Sequence, residues 1–237
     1  MDFYLGIDIG TSRVKAVLFD QHFQACASAA QNTGPRLSAN GEAEQDMAQL
    51  WQSVVAILRD IARHPALQNG RLRAIGLAGQ GEGVWLCDAE GEPVGPGILW
   101  SDTRSRELMN ELLSRPGFDR RFFDDTGTHL QPCNTSMQLC WLKHHQPERL
   151  AAARYLFFAK DWIRFRLTGV AALDLTDAST SLLNQQSGKL SAVVLNEMGL
   201  ADLQPLFPPL LAPDAQAGAL REEVAALTGL PAATPVA

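Results

Sequence analysis

Apolar and polar positions alternate from Tyr4 to Ile9 and again from Val14 to Phe19, the period-two pattern of half-buried strands. Between the two runs, Gly10-Thr11-Ser12 supplies the small, polar residues of a tight turn. A hairpin is therefore expected over residues 4–20, with a third strand over His22–Ala30 joined through Asp20-Gln21 to make an antiparallel meander. Gln31–Glu42, rich in Asn, Gly, Pro and Ser, reads as a loop. The period then changes. From Glu44 to His64, Met47, Leu50, Trp51, Val54, Val55, Leu58 and Ile61 recur at helical spacing. Asp46 with Gln49 resembles a capping box, and His64-Pro65 marks the helix end. Leu72–Ala78 is a short, continuous apolar run after a helix, as expected of a buried parallel strand.

Gly79, Gly81 and Gly83 allow a sharp turn that leaves Gln80 and Glu82 projecting from the carboxyl end of that strand. Ligands of α/β sheets bind at such ends. Val84–Asp88 resumes as a strand, Ala89–Glu92 turns, and Pro93–Trp100 returns. Ser101–Arg104 is expected to cap a helix running to about Ser114, and residues 103–159 read as mostly helical, with helices over Asp119–Asp125, Ser136–His145 and Pro147–Ala153. Lys160–Thr168 forms a short amphipathic pattern with Gly169 placed for a C-cap. Ser191–Met198 and Leu220–Thr228 are two further helices, and the closing Gly229–Ala237 reads as a helix exit leading into another strand.

Composition narrows the class. With 237 residues, 46% apolar and 19% charged, the chain can bury a core without disulfides or a metal. A net charge of −6 and the lack of a basic run argue against nucleic acid as the main partner. No apolar stretch is long enough to span a bilayer, and Met1-Asp2-Phe3-Tyr4 lacks the basic start of a secretory signal. Cys26, Cys87, Cys133 and Cys140 include no CxxC and read as reduced thiols, so a cytoplasmic location is expected. Cys133 and Cys140 lie near His129, His144 and His145, but the spacing matches no common zinc pattern.

The hairpin carries the first candidate chemistry. Asp8, Gly10, Thr11, Ser12 and Lys15 bring a carboxylate, two hydroxyls, free backbone N–H groups and a cation to one turn. That set suits a phosphate chain carrying a divalent metal. A meander, a helix and a further strand, in that order, match the ribonuclease-H-like layout of sugar kinases, actin and Hsp70-type ATPases: an α/β fold with a mixed sheet and flanking helices.

Several motifs then converge. They are Asp8-Ile9-Gly10-Thr11-Ser12 with Lys15, Gly79–Gly83, Leu99–Arg104, Trp141-Leu142-Lys143 with Pro147-Glu148, Lys160-Asp161-Trp162 through Leu167-Thr168-Gly169, Thr176–Ser179 and Leu227–Pro231. In this order and spacing the chain resembles, over essentially residues 1–237, the N-terminal domain of the FGGY family of carbohydrate kinases. Within it, the Gly-Gln-Gly-acid-Gly signature followed by Trp85-Leu86 resembles L-xylulose kinases and polyol kinases such as erythritol kinase. The methionine and histidine that follow the glutamine in D-xylulose kinases are lacking here.

The resemblance implies transfer of the γ-phosphoryl group of Mg·ATP to a hydroxyl of a ketopentose or polyol. Asp8 would hold hydrated Mg2+, and Gly10, Thr11, Ser12 and Lys15 would face the phosphates. Gln80, Glu82, Trp100, Asp102 and Cys133 would line the acceptor pocket. Family members carry a C-terminal domain with the catalytic base, so this chain alone is expected to be inactive; a homodimer is left open. Trp51, Trp141 and Trp162 read as core, Arg104 and Arg106 as solvated or ion-paired, Asp161 and Asp177 as structural, and Asp124-Asp125 as surface. The alternative is an actin- or Hsp70-like nucleotide-binding protein without sugar kinase activity, against which the Gln80/Glu82/Trp100/Asp102 group argues. A DNA-binding regulator ranks last, since the first strand starts near Met1 and the chain is acidic.

Overall fold

β1 (Asp2–Ile9) and β2 (Arg13–Asp20) pair antiparallel, with Ile9 opposite Val14 and Asp8 opposite Lys15, in a computed structural model that describes residues 1–237. β3 (Ala25–Asn32) completes the meander but starts three residues later than the apolar pattern suggests. The cause is a local turn: the Asp20 carboxylate accepts the N–H groups of His22 and Gln24, and Phe23 takes a φ of 57°. The expected loop before the helix contains two short strands, β4 (Arg36–Leu37) and β5 (Ala43–Gln45).

α1 (Met47–Ala62) follows directly, with the Asp46 carboxylate accepting the Gln49 N–H as its N-cap. Met47, Leu50, Val54, Ile57, Leu58 and Ile61 form its buried stripe. After the short α2 (Pro65–Gln68), β6 (Arg71–Gly79) pairs parallel to β1, giving the sheet order β3-β2-β1-β6. Pro235–Ala237 extends this sheet along the free edge of β6, with Ile75 N–H donating to Pro235 and Ala237 N–H to Ile75, each at 2.9 Å.

The two faces of the sheet differ. Phe3, Leu5, Ile7 and Ile9 of β1, with Val14, Ala16 and Leu18 of β2, are buried in the same cluster as the α1 stripe. The alternate set, Gly6, Asp8, Lys15, Val17 and Phe19, borders an open groove of about 470 Å³ together with Gly76 and Ala78.

The glycine-rich loop at the carboxyl end of β6 leads into the rest of the chain, whose last helix, Glu222–Thr228, returns to pack on α1. β7 (Trp85–Cys87) pairs antiparallel with β9 (Tyr155–Phe157), and β8 (Gly97–Ile98) joins β5 and β4 in a small sheet. Helices α3 (Arg106–Leu113), α4 (Phe118–Thr126), α5 (Thr135–His145) and α6 (Pro147–Ala152) occupy most of residues 103–159. α7 (Ala159–Thr168) ends on Gly169 at φ 74°. β10 (Leu173–Asp174), α8 (Leu175–Ala178), β11 (Leu210–Leu211) and α9 (Glu222–Thr228) complete the order. The helix expected over Ser191–Met198 is a single π-helical turn, Val193–Glu197. Its start is fixed by the Ser191 hydroxyl, which accepts the Val194 N–H and donates to Asp125 of α4. Trp162 is fully buried and stacks on Trp85, whereas Trp51 and Trp141 are half-buried under guanidinium groups of Arg166 and Arg104. No helix is long and apolar enough to cross a membrane.

Leu58 has no exposed surface and sits where α1 meets the sheet. Leu58→Ala is expected to destabilise the fold by about 2–5 kcal/mol through lost burial and an unfilled cavity. The exposed Gln52→Ala is expected to stay within about 0.5 kcal/mol. Denaturant unfolding of both variants checks the contrast.

Candidate functional site

The hairpin turn leaves β1 at Ile9. Asp8 and Lys15 face each other across the ladder, both exposed on the open side of the sheet at the groove. Gly10 is required by the closeness of the turn: a Cβ there would lie 2.7 Å from the Arg13 carbonyl oxygen. Thr33 N–H donates to the Ser12 carbonyl, which fixes the far side of the turn and leaves the Ser12 side chain exposed.

Parallel pairing brings the glycine-rich loop to the same place. Gln80 N–H donates to the Ile9 carbonyl at 2.9 Å, extending the β1–β6 ladder by one step. The Gln80 side chain then meets the turn, with the Thr11 hydroxyl donating to Gln80 Oε1 at 2.9 Å. Trp100 Nε1 donates to the same hydroxyl oxygen at 2.9 Å. The indole N–H is thereby occupied, while 49% of the Trp100 surface is open. What Trp100 offers a ligand is its ring, an apolar face suited to the C–H side of a sugar or polyol.

Glu82 is arranged differently. Its backbone takes a φ of 53° and its carboxylate accepts four donors: Asn134 Nδ2 at 2.9 Å, Thr135 N–H at 2.8 Å, the Thr135 hydroxyl at 2.7 Å and the Ser181 hydroxyl at 3.1 Å. A carboxylate has about four lone-pair sites, so these contacts anchor the loop to the start of α5 before any ligand arrives. Asn134, Thr135 and Ser181 carry no motif-level signal for this role, because the contacts span 52 to 99 residues.

Asp102 is fully buried, and it does not cap α3. Its carboxylate turns inward to accept the Ala43 N–H at 2.7 Å and pairs with Arg104, whose guanidinium also reaches Glu44 at 2.9 Å. The helix therefore begins only at Arg106. Burial raises the Glu44 carboxyl, but hydrogen bonds from Arg36 and Arg104 outweigh it and hold the group below the usual carboxylate range. Cys133 is half-buried within the field of Glu82 and Asp102; burial and those two negative charges push its thiol up, keeping it neutral. Behind the loop, Lys160 pairs with Asp177 and, at 3.7 Å, with Asp174. A Cβ at Gly81 would lie 2.8 Å from Asp177 Oδ1. Burial pushes the Asp177 carboxyl up, only partly opposed by Lys160.

Of the residues singled out from the sequence, the fold thus joins Thr11, Gln80 and Trp100 in one hydrogen-bonded group. Asp8 and Lys15 lie on the groove side, Glu82 and Cys133 flank the loop, and Asp102 lies in the supporting layer.

Residues 3–237 match the FGGY family of carbohydrate kinases, N-terminal domain. The chain belongs to this family. It is 36% identical to an erythritol kinase of Brucella abortus over 99% of its own length and 45% of the relative's. It is 32% identical to an L-xylulose/3-keto-L-gulonate kinase of Escherichia coli, over 99% of this chain and 47% of that one. A xylulose kinase structure from Rhodospirillum rubrum superposes with a TM-score of 0.91 at 28% identity, covering 99% of this chain and 48% of that chain. The chain therefore spans about half the length of the curated relatives it matches. The ribonuclease-H-like FGGY architecture accounts for the mixed sheet and for the position of the glycine-rich loop at its carboxyl edge.

The buried pairs beside this FGGY site generate two expectations. Arg104→Met strands the buried Asp102 carboxylate and is expected to cost about 3–5 kcal/mol, read by denaturant unfolding. Glu44 has a folded pKa held below its unfolded value, so its contribution is fully present above that unfolded value, 4.5, and is lost as pH falls through the folded one. The stability gap between the wild type and Glu44→Gln is expected to be widest above this pH and to narrow on acidification, measured by unfolding across a pH series.

Proposed function

We propose that this domain supplies the acceptor site and the phosphate turn of an ATP-dependent kinase that phosphorylates a small polyol or ketopentose, of the kind that the erythritol and L-xylulose kinase relatives are named for. One observation carries the reading: the Thr11 hydroxyl sits between the Gln80 amide and the Trp100 indole. The turn suited to phosphates and the loop suited to a neutral acceptor are thereby one hydrogen-bonded unit, as transfer between two ligands in contact requires.

In this reading the backbone N–H groups of Gly10–Ser12 and the Lys15 ammonium face the β- and γ-phosphates. The exposed Asp8 carboxylate is an oxygen donor of the type that holds hydrated Mg2+, with Lys15 opposite it. Bound Mg2+ would neutralise phosphate charge. Gln80 bonds acceptor hydroxyls, the Trp100 ring covers the carbon side of the acceptor, and Cys133 closes the wall as a neutral thiol. Glu82 and Asp102 hold this wall in shape. Fixed polar groups of this kind discriminate strongly, since a wrong acceptor leaves them unpaired. The group that deprotonates the acceptor belongs to a further domain, so the 237-residue chain alone is expected to turn over no sugar.

Titration calorimetry of the chain with erythritol and L-xylulose tests the acceptor site. Binding is expected for the wild type and weakened about tenfold or more in Trp100→Ala, the scale of one lost aromatic contact. Absence of binding to any polyol or ketopentose would overturn the assignment. In a coupled assay, sugar-dependent ADP release by the chain at roughly 1 s⁻¹ or faster would refute the need for a second domain.

A further inference from the structure

We infer that Gln45, a residue with no assigned role, is the positioning residue that fixes the orientation of the Gln80 amide toward the acceptor. This rests on the acceptor reading of Gln80 given above. Gln45 is 2% exposed, on β5 one residue before the α1 cap. Its Nε2 donates to the Thr33 carbonyl at 2.6 Å and the Thr11 carbonyl at 3.3 Å. Both partners are backbone acceptors, so the amide has one workable orientation: turned over, Gln45 would set its own oxygen against two carbonyl oxygens. Its Oε1 is thereby committed to accepting, and it accepts Gln80 Nε2 at 3.0 Å.

The commitment passes along the chain of bonds. An indole N–H only donates, so the Thr11 hydroxyl accepts from Trp100 and has its own proton free for Gln80 Oε1. Gln80 is therefore held at both ends, its nitrogen by Gln45 and its oxygen by Thr11. A flipped Gln80 would place its oxygen against Gln45 Oε1 and leave that buried acceptor unpaired. Gln80 is half-buried, and beyond these two bonds its amide has one further N–H and one further lone pair. A vicinal diol matches that pair: one hydroxyl accepts and its neighbour donates. The geometry points to adjacent hydroxyls of the acceptor as the group that Gln80 reads, with Gln45 setting which hydroxyl donates.

Side-chain amide NMR on the 237-residue chain tests this. In the wild type, the Gln80 amide protons are expected to be widely split, with slow solvent exchange of the proton bonded to Gln45. A Gln80 amide with the shifts and rapid exchange of a solvated side chain would overturn the proposal without any variant. Gln45→Met is expected to return the Gln80 amide protons to the shifts and fast exchange of a solvated amide while the Trp100 indole proton stays in place. An unchanged Gln80 amide in a folded Gln45→Met would equally overturn the assignment. Erythritol affinity in Gln45→Met is expected to fall about tenfold, the usual worth of one misplaced polar contact, and an unchanged affinity would count against the role. If the wild-type chain shows the fixed amide but binds no polyol, the acceptor reading fails while the orienting role of Gln45 stands.

Discussion

Parallel pairing of β1 with β6 is the constraint on which the remaining geometry depends. From Tyr4 opposite Ala74 the two strands stay in register to Ile9 and Gly79, and one further ladder bond places Gln80 beside the hairpin turn. Two segments 69 residues apart in sequence thus deliver Thr11 and Gln80 to one point. Parallel strands are typically buried and connected by a helix, and α1 provides both the connection and the cover. Because the core claims one face of the sheet, the alternate residues of β1 and β2 are left free to carry Asp8 and Lys15.

Around that junction the chain uses charge rather than apolar packing as its brace. Residues 43–46 show how densely: Ala43 N–H is held by Asp102, Glu44 by two guanidinium groups, Gln45 by two backbone carbonyls, and Asp46 caps α1. Buried pairs of this kind add little net stability over a well-packed apolar core, but each partner is costly to remove alone. Their yield here is directional. They hold the layer beneath Trp100 and Gln80 in a single arrangement.

Much of this was legible in the sequence, and the reasons for the rest are specific. The hairpin, α1 and β6 follow from periodicity because one face of each is buried, and the order of motifs then suffices for the family. Asp102 does not cap α3, although an acid ahead of a helix has the signature of a cap; its bond from Ala43, 59 residues away, is tertiary and leaves no local trace. Glu82 reads as a free carboxylate until Asn134, Thr135 and Ser181 converge on it from other elements. Gln45 gives no signal at all, being a lone amide between two acids at the start of the expected helix. The short strands β7 and β9 are apolar runs whose partnership is purely tertiary.

The two-faced character of β1 limits how this protein can diverge. Phe3, Leu5, Ile7 and Ile9 belong to the core and Asp8 to the groove, on alternate residues of a single strand. A slip of one residue would bury the carboxylate and expose four large side chains at once. Substitutions in this hairpin can accumulate singly, but insertions and deletions cannot. Change in chain length is confined to segments such as the turn at Asp20–Gln24, where no face has to be kept. The spacing from Asp8 through Gly10 to Lys15 is therefore set by the core as firmly as by any ligand.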